Sequence, residues 1–140
     1  MPNWKIRPWT PDDAESLKRM WCHLCTSTGE EGSPEKWYNG LPRFLPGYIV
    51  FILEVEHDVV GFIDGYPIQQ AVQPQLAAVI NSTWVDPPHR RHSGLLLRTI
   101  REHLKSFGST HVFVSILPSL VKFWKKHKFS HYQEVLMREL

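Results

Sequence analysis

The segment PPHRRHSGLLLRTI, residues 87–100, gathers His89, Arg90, Arg91 and His92 directly before Ser93, Gly94 and an apolar-periodic run. Guanidinium and imidazole groups make charge-assisted hydrogen bonds to phosphate oxygens. The first amides of a helix have no intrahelical partners and face whatever sits in front of them. Ser93 suits the N-cap, and Gly94 lets a ligand approach the backbone. These residue types in this order therefore predict an anion cradle at a helix start. The same composition also fits a nucleic-acid patch or a solvated basic turn, and the rest of the chain must choose.

A second pattern is WCHLC, with Cys22 and Cys25. A redox CxxC needs its first thiol at a helix N-terminus, where the dipole favours a thiolate. The helix holding this pair starts near Pro11, with Thr10 as N-cap and Asp13 in a capping-box position. Both cysteines then fall in its last turns, where the dipole has the wrong sign. No further ligands stand at a metal-site spacing. The cysteines read as structural, and no metal is expected.

The 140 residues fit one domain, 1–140, with a real core. A net charge of +2 is too mild to argue for a duplex-binding protein on its own. No apolar run approaches the roughly 18 residues of a membrane span, and the N-terminus lacks a signal-peptide core. Two cysteines without a secretory signal suit a reducing cytoplasm.

The elements that must position the cradle follow from periodicity. A first strand spans WKIRPW (4–9), then a helix runs from Pro11 to about Thr26, with Ala14, Leu17, Met20, Trp21 and Leu24 at helical spacing. Ser33-Pro34-Glu35 opens a short helix through Trp37 and Tyr38. YIVFILEVE (48–56) and VVGFIDGYPI (59–68) pair as a hairpin about a tight turn at His57-Asp58. AAVINSTWV (77–85) is a further strand, ended by Asp86-Pro87-Pro88. Leu96, Leu97, Ile100, Leu104 and Phe107 form the apolar face of the next helix, capped by Gly108. HVFVSIL (111–117) has the unalternated pattern of a central strand. A short helix over 118–129 packs through Leu120, Val121 and Trp124, and SHYQEVLMREL closes the chain as a strand. The order predicts an α/β, or layered α+β, mixed sheet.

In this order the chain resembles the GNAT superfamily of N-acetyltransferases. TWVDPPHRRHSGLLLRTIREHLKSFG is similar to that family's acetyl-CoA segment, a strand ending V-x-P, then Arg or Gln, then x-x-G-x-G/A opening a helix. EVEHDVVGFIDGY resembles its second and third strands, IRPWTPDDAESLKRMW its N-terminal opening, and KFWKKHKF its F-Y-x-K-x-G-F. The resemblance implies a mostly antiparallel sheet of about six strands with helices on both faces. Its fourth and fifth strands would splay to admit acetyl-CoA.

Without gaps, Arg90 stands at the family's Arg/Gln and Ser93 and Leu95 at its two glycines. With one inserted residue these become Arg91, Gly94 and Leu96, a register that keeps a glycine against the pyrophosphate. The resemblance implies that amides between Arg91 and Leu96, including those of His92 and Leu95, hold the pyrophosphate. It implies too that Thr83, Trp84 and Val85 pair with the pantetheine arm, one amide there polarising the thioester carbonyl.

Acetyl transfer to an amine needs a neutral amine, a polarised thioester and a proton for the thiolate. Many relatives carry a Tyr as acid within F-Y-x-K, but Trp124 stands there, and an indole N–H is a donor without usable acidity. Trp124 is expected to pack either on the cofactor or in the core. Asn81 lies roughly where relatives carry a Glu or His base, and it can orient a water. Asp64 is the best nearby carboxylate, facing the cleft or bonded to backbone; His127 and His131 are alternatives. The acceptor, a small-molecule or protein amine, is expected against residues 27–44. There Glu30 and Glu31 could attract a cation and Trp37 and Tyr38 wall a pocket, or the two aromatics merely cap the core.

Three readings remain at this stage. The leading one is an acetyl-CoA-dependent N-acetyltransferase, with a homodimer compatible. Another is an acyl-CoA-binding domain of the same fold without turnover. The third is a nucleic-acid module with Phe123 and Trp124 as stacking platforms.

Overall fold

In the computed structural model, residues 3–29, 31–69, 76–115 and 121–130 are described. Strand β1 (Trp4–Pro8) leads through a 3-10 turn at Pro11–Asp13 into helix α1 (Ala14–Thr28). The Thr10 N–H donates to Asp13 Oδ2 at 2.8 Å, the return bond of the expected capping box. Gly29, with φ 73°, ends α1 in the left-handed conformation that glycine adopts without a Cβ penalty. Helix α2 (Pro34–Asn39) starts where Pro34 occupies the first turn and Ser33 Oγ accepts from the Lys36 N–H.

Strands β2 (Ile49–Val55) and β3 (Asp58–Gln69) form the predicted hairpin. Its turn lies one residue earlier than expected, at Glu56-His57, because both take positive φ, 51° and 71°. Two left-handed residues match the twist of the strands they join. β4 (Leu76–Val85) returns antiparallel to β3, and β5 (His111–Val114) adds parallel to β4. The sheet order is β1-β2-β3-β4-β5, antiparallel except for its last pair. Five strands are therefore described, and the sixth expected over the final residues lies outside the described residues. So do the end of the predicted strand at 116–117 and the start of the helix at 118–120. β5 itself is half-buried, less covered than the central strand its unalternated pattern suggested.

Each face of the sheet carries a core. Helix α3 (Ser93–Ser106) lays Leu96, Leu97, Ile100 and Leu104 against Leu53, Ile63, Ala78, Ile80 and Val85. Trp124 of helix α4 (Val121–Lys126) joins this cluster. Full burial of such aliphatic side chains contributes roughly 1.5–3 kcal/mol each, so Ile100→Ala would be among the most damaging single changes on this face. Phe107, expected to extend the apolar stripe, is instead 46% exposed beyond the end of the helix. On the opposite face Leu17 and Met20 of α1 pack against Val50, Ile52 and Phe62, and Trp9, Trp37, Tyr38, Tyr48 and Trp84 surround them. The result is a mixed α/β sheet with helices on both faces.

Candidate active site

β4 decides the geometry. Among the described residues it pairs with β5 from Ala77 to Ile80, while its pairing with β3 continues to Val85. From Asn81 onward the β4 edge has no β5 partner among the described residues. The change coincides with a bulge: Gly65 faces Ile80, Asp64 faces Ser82, and Asn81 is the extra residue. A bulge sharpens local twist and re-aims the chain beyond it.

The bulge is clamped by Asp64. Ser82 N–H donates to Asp64 Oδ1 at 2.8 Å, while Asn81 Nδ2 at 3.0 Å and the Tyr48 hydroxyl at 2.8 Å donate to Oδ2. Asp64 is 1% exposed, so burial pushes its carboxyl above the ordinary range while these three bonds, and the Ser82 hydroxyl with them, pull the other way. Burial first, and the Asp64 charge after it, push the Tyr48 hydroxyl well above the usual phenol range, so it stays protonated and donating. Asn81 is exposed beside this buried carboxylate. The two residues expected to do chemistry thus share one cluster. Asp64 sits within it as a backbone-bonded acid, and Tyr48 is a member that the sequence did not signal.

Beyond the bulge, Thr83 hydrogen-bonds the Phe62 carbonyl, and Trp84 and Val85 close the strand. Asp86 then anchors the exit. Its N–H donates to Val60 O, its carboxylate accepts from Trp84 Nε1 at 2.9 Å, and both Arg19 Nη atoms reach it at 3.2 Å. Burial raises the pKa of this carboxyl, but the bonds from Arg19 and Trp84 outweigh it and hold it below the ordinary value.

The basic segment is not the loop that was expected. Pro87–His92 forms a 3-10 helix running straight into α3, so Ser93 is the first residue of α3 and His92 occupies the cap position. The physical reason is in the sequence: two prolines preset φ for a tight helical turn, and Ser93 continues it by donating to the Arg90 carbonyl. This turn divides the cluster. Arg90 folds back, its Nε on the Val85 carbonyl at 3.2 Å and its guanidinium 5.0 Å above the Trp84 ring. His92 turns inward, 8% exposed and 5.5 Å from the Trp4 ring. Burial, then the charges of Arg91 and His89, lower the pKa of His92. His89 Nδ1 and His92 Nε2 are buried without a hydrogen-bond partner. Arg91 is exposed. Gly94 and Leu95 lie in the first turn of α3, whereas the Leu96 side chain is fully buried in the core. A Cβ on Gly94 would stand 3.2 Å from His127 Cε1, so α4 closes against this turn.

Trp124 is 4% exposed, with Phe123 and Phe129 rings at 5.2 and 5.1 Å. That is core packing, and it leaves the Phe123-Trp124 pair unsuited as a stacking platform. α4 ends in a Schellman motif, Phe129 N–H on Trp124 O and Lys128 N–H on Lys125 O, with Lys128 at φ 67°. Lys128 stands where the resembling motif carries glycine.

The acceptor-side residues cap the α1 core. Trp37 stacks on Trp21 at 5.4 Å and meets Phe62 edge-on, and Tyr38 meets Trp9 with the Arg43 guanidinium 4.3 Å above its ring. Glu31 is exposed; Glu30 and His131 lie outside the described residues. Cys22 is exposed and Cys25 buried on α1. Among the described residues no cluster of three His, Cys, Asp or Glu could hold a metal, and no helix is long and apolar enough to cross a membrane.

A mostly antiparallel sheet whose fourth strand leads through a basic turn into a helix N-terminus defines the class of fold. More specifically, residues 12–129 match the Acetyltransferase (GNAT) family, and the chain belongs to it. A GCN5-related N-acetyltransferase from Ralstonia eutropha superposes with a TM-score of 0.83 at 18% identity, covering 98% of this chain and 99% of that one. An aminoglycoside N-acetyltransferase, AAC(6')-Iy, in complex with CoA gives 0.79 at 14%, covering 100% and 96%. A ribosomal-protein-alanine N-acetyltransferase from Brucella melitensis gives 0.76 at 12%, covering 98% and 99%. These likenesses establish the fold. No curated protein sequence matches the chain.

Proposed function

We propose that this GNAT-family chain is an acetyl-CoA-dependent N-acetyltransferase acting as one domain on a primary amine of a small molecule or protein. One observation carries the reading: the β4 edge, without a β5 partner among the described residues from Asn81 to Val85, runs through Asp86 directly into the basic turn and the start of α3. An extended pantetheine arm adds to such an edge by backbone hydrogen bonds from Thr83, Trp84 and Val85. The pyrophosphate then falls at the opening turn of α3, to the amides of Ser93, Gly94 and Leu95, with Arg91 beside them. The unpartnered His89 and His92 nitrogens fit that assignment, since both lie on the turn leading into those amides. Trp124 supports the cofactor from behind, through the core under α3. Asn81 orients the acceptor amine or a water at the bulge, and Asp64 acts through Asn81. A reducing, cytoplasmic setting suits the exposed Cys22.

The test is a thermal melt with and without acetyl-CoA at low and high salt. Ligand at about 100 times its dissociation constant stabilises by roughly 2.7 kcal/mol, a rise of about 9 °C for a domain of this size. The rise should survive salt, and Arg91→Glu should reduce it. A melt that does not respond to acetyl-CoA overturns the reading. Release of CoA thiol on adding an amine panel then separates a transferase from a binding domain.

A further inference from the structure

We infer that Asp64 is a positioning residue: its carboxylate, gripped by Tyr48, Asn81 and the Ser82 amide, holds the β4 bulge in the form that opens the strand edge to the cofactor. This role rests on the cofactor reading above for its purpose, but its geometry stands independently. Asp64 is directly opposite Ser82, the second residue of β4 beyond the last β5 pair. A bulge disrupts the ladder locally and leaves backbone groups without their strand-to-strand bonds. Here a side chain on β3 reaches the backbone of β4 and takes its N–H, while Oδ2 takes two side-chain donors.

The demand for a carboxylate follows from the count of donors. Three donors converge on it, and the Ser82 hydroxyl adds to their pull. An amide in place of Asp64 could keep its oxygen toward Tyr48 and Asn81, but its NH2 would then face the Ser82 N–H, donor against donor. A group that is acceptor on both arms satisfies all of these donors at once. At 1% exposure Asp64 cannot itself touch an acceptor amine, which separates this role from that of a base in contact with substrate. Charged and titratable groups around the pair are few: Arg43 from the α2–β2 connection and Tyr66 on β3 both act on Tyr48. Gly65 beside it leaves no room for slack, since even a methyl there would meet the Val79 carbonyl.

The experiment compares Asp64→Asn, Tyr48→Phe and, as a control, Arg7→Met, which removes the partner of Asp13 and Glu54 at the β1 edge, two strands away from the bulge. Native-state hydrogen exchange is read at Ser82 and at α1 amides, and acetyl-CoA affinity is read by calorimetry. Asp64→Asn should speed exchange at Ser82 at least tenfold more than at α1 and weaken acetyl-CoA by about tenfold. Tyr48→Phe removes one donor, keeps the carboxylate and should give a smaller loss of both. Arg7→Met should lower stability and leave affinity unchanged. If Ser82 exchange in Asp64→Asn moves only in step with α1, the clamp is refuted. If Arg7→Met weakens acetyl-CoA as much as Asp64→Asn at matched stability, positioning is refuted. Should Asp64→Asn fail to fold, Tyr48→Phe with unchanged Ser82 exchange and affinity also refutes the inference. Wild-type protein that ignores acetyl-CoA overturns the cofactor reading instead, and the exchange comparison still judges the clamp.

Discussion

Gly65→Ala isolates how closely α3 and the β3–β4 bulge approach each other. A Cβ on Gly65 would stand 2.5 Å from the Val79 carbonyl oxygen and 3.0 Å from Ile100 Cδ1. The isoleucine tip can move; the carbonyl belongs to the β4 backbone, so the strand itself must shift. Forced overpacking of this kind costs about 1–3 kcal/mol, and a backbone obstacle argues for the upper end. Against it stands a gain of about 0.4–1 kcal/mol from a less flexible unfolded chain. The net loss is then about 2 kcal/mol. At ~2.1 cal/mol/K per residue the unfolding entropy near the midpoint is about 0.3 kcal/mol/K for a chain of this length, giving a drop in Tm of about 7 °C. Gly61→Ala is the internal control. Its nearest atoms lie at 3.1–3.3 Å, two of them side-chain carbons, so small adjustments should confine its loss to about half as much. Calorimetry of both variants at one pH gives the comparison. Gly65→Ala melting within 2 °C or so of wild type, or above Gly61→Ala, would show that the bulge yields easily, and the rigid-edge argument would fail with it.

Lys128→Gly should raise Tm by about 3 °C, because a lysine at φ 67° gives up roughly 1 kcal/mol that glycine does not; no gain in a melt would refute the assignment of strain to that cap. Arg7 grips the 4%-exposed Asp13 through two bonds of 2.8 and 2.9 Å, so Arg7→Met takes away that carboxylate's cation, leaving it the Thr10 N–H, and should cost about 3 kcal/mol by denaturant titration. Arg7 also holds the Asp13 carboxyl below its ordinary pKa. With the folded value below the unfolded one, the unfolded chain binds the proton more readily. The contribution is complete above about pH 4 and is lost as the pH falls further. Asp13→Asn should flatten that part of the acid limb in melts at stepped pH.

Elements were legible in this sequence where periodicity and caps agreed. The hairpin of β2 and β3 follows from two β-prone runs about a turn, and α1 from Thr10, Pro11 and Asp13. The turn itself was misplaced by one residue because Glu56 and His57 are not the residues that usually accept positive φ. Phe107 looked like one more step of the α3 stripe, but the helix ends before it, and periodicity carries no information about where a helix stops packing.

The site was legible in its strand and helix and obscure in its parts. HRRH reads as four equivalent cationic groups, yet a 3-10 turn sends consecutive side chains about 120° apart. Arg90 therefore folds onto Trp84, His92 turns into the protein, and Arg91 is left exposed. Proximity in sequence within a tight helical turn is thus evidence of dispersal, not of convergence. Asp64 shows the converse. Its partners Asn81 and Ser82 lie on β4 and Tyr48 directly before β2, and what joins them is a bulge that no local pattern announces, since one extra residue in β4 changes neither composition nor alternation enough to be seen. A carboxylate beside a glycine on a β-strand was the available signal. The glycine marks where backbones crowd, and the acid marks where the displaced N–H goes.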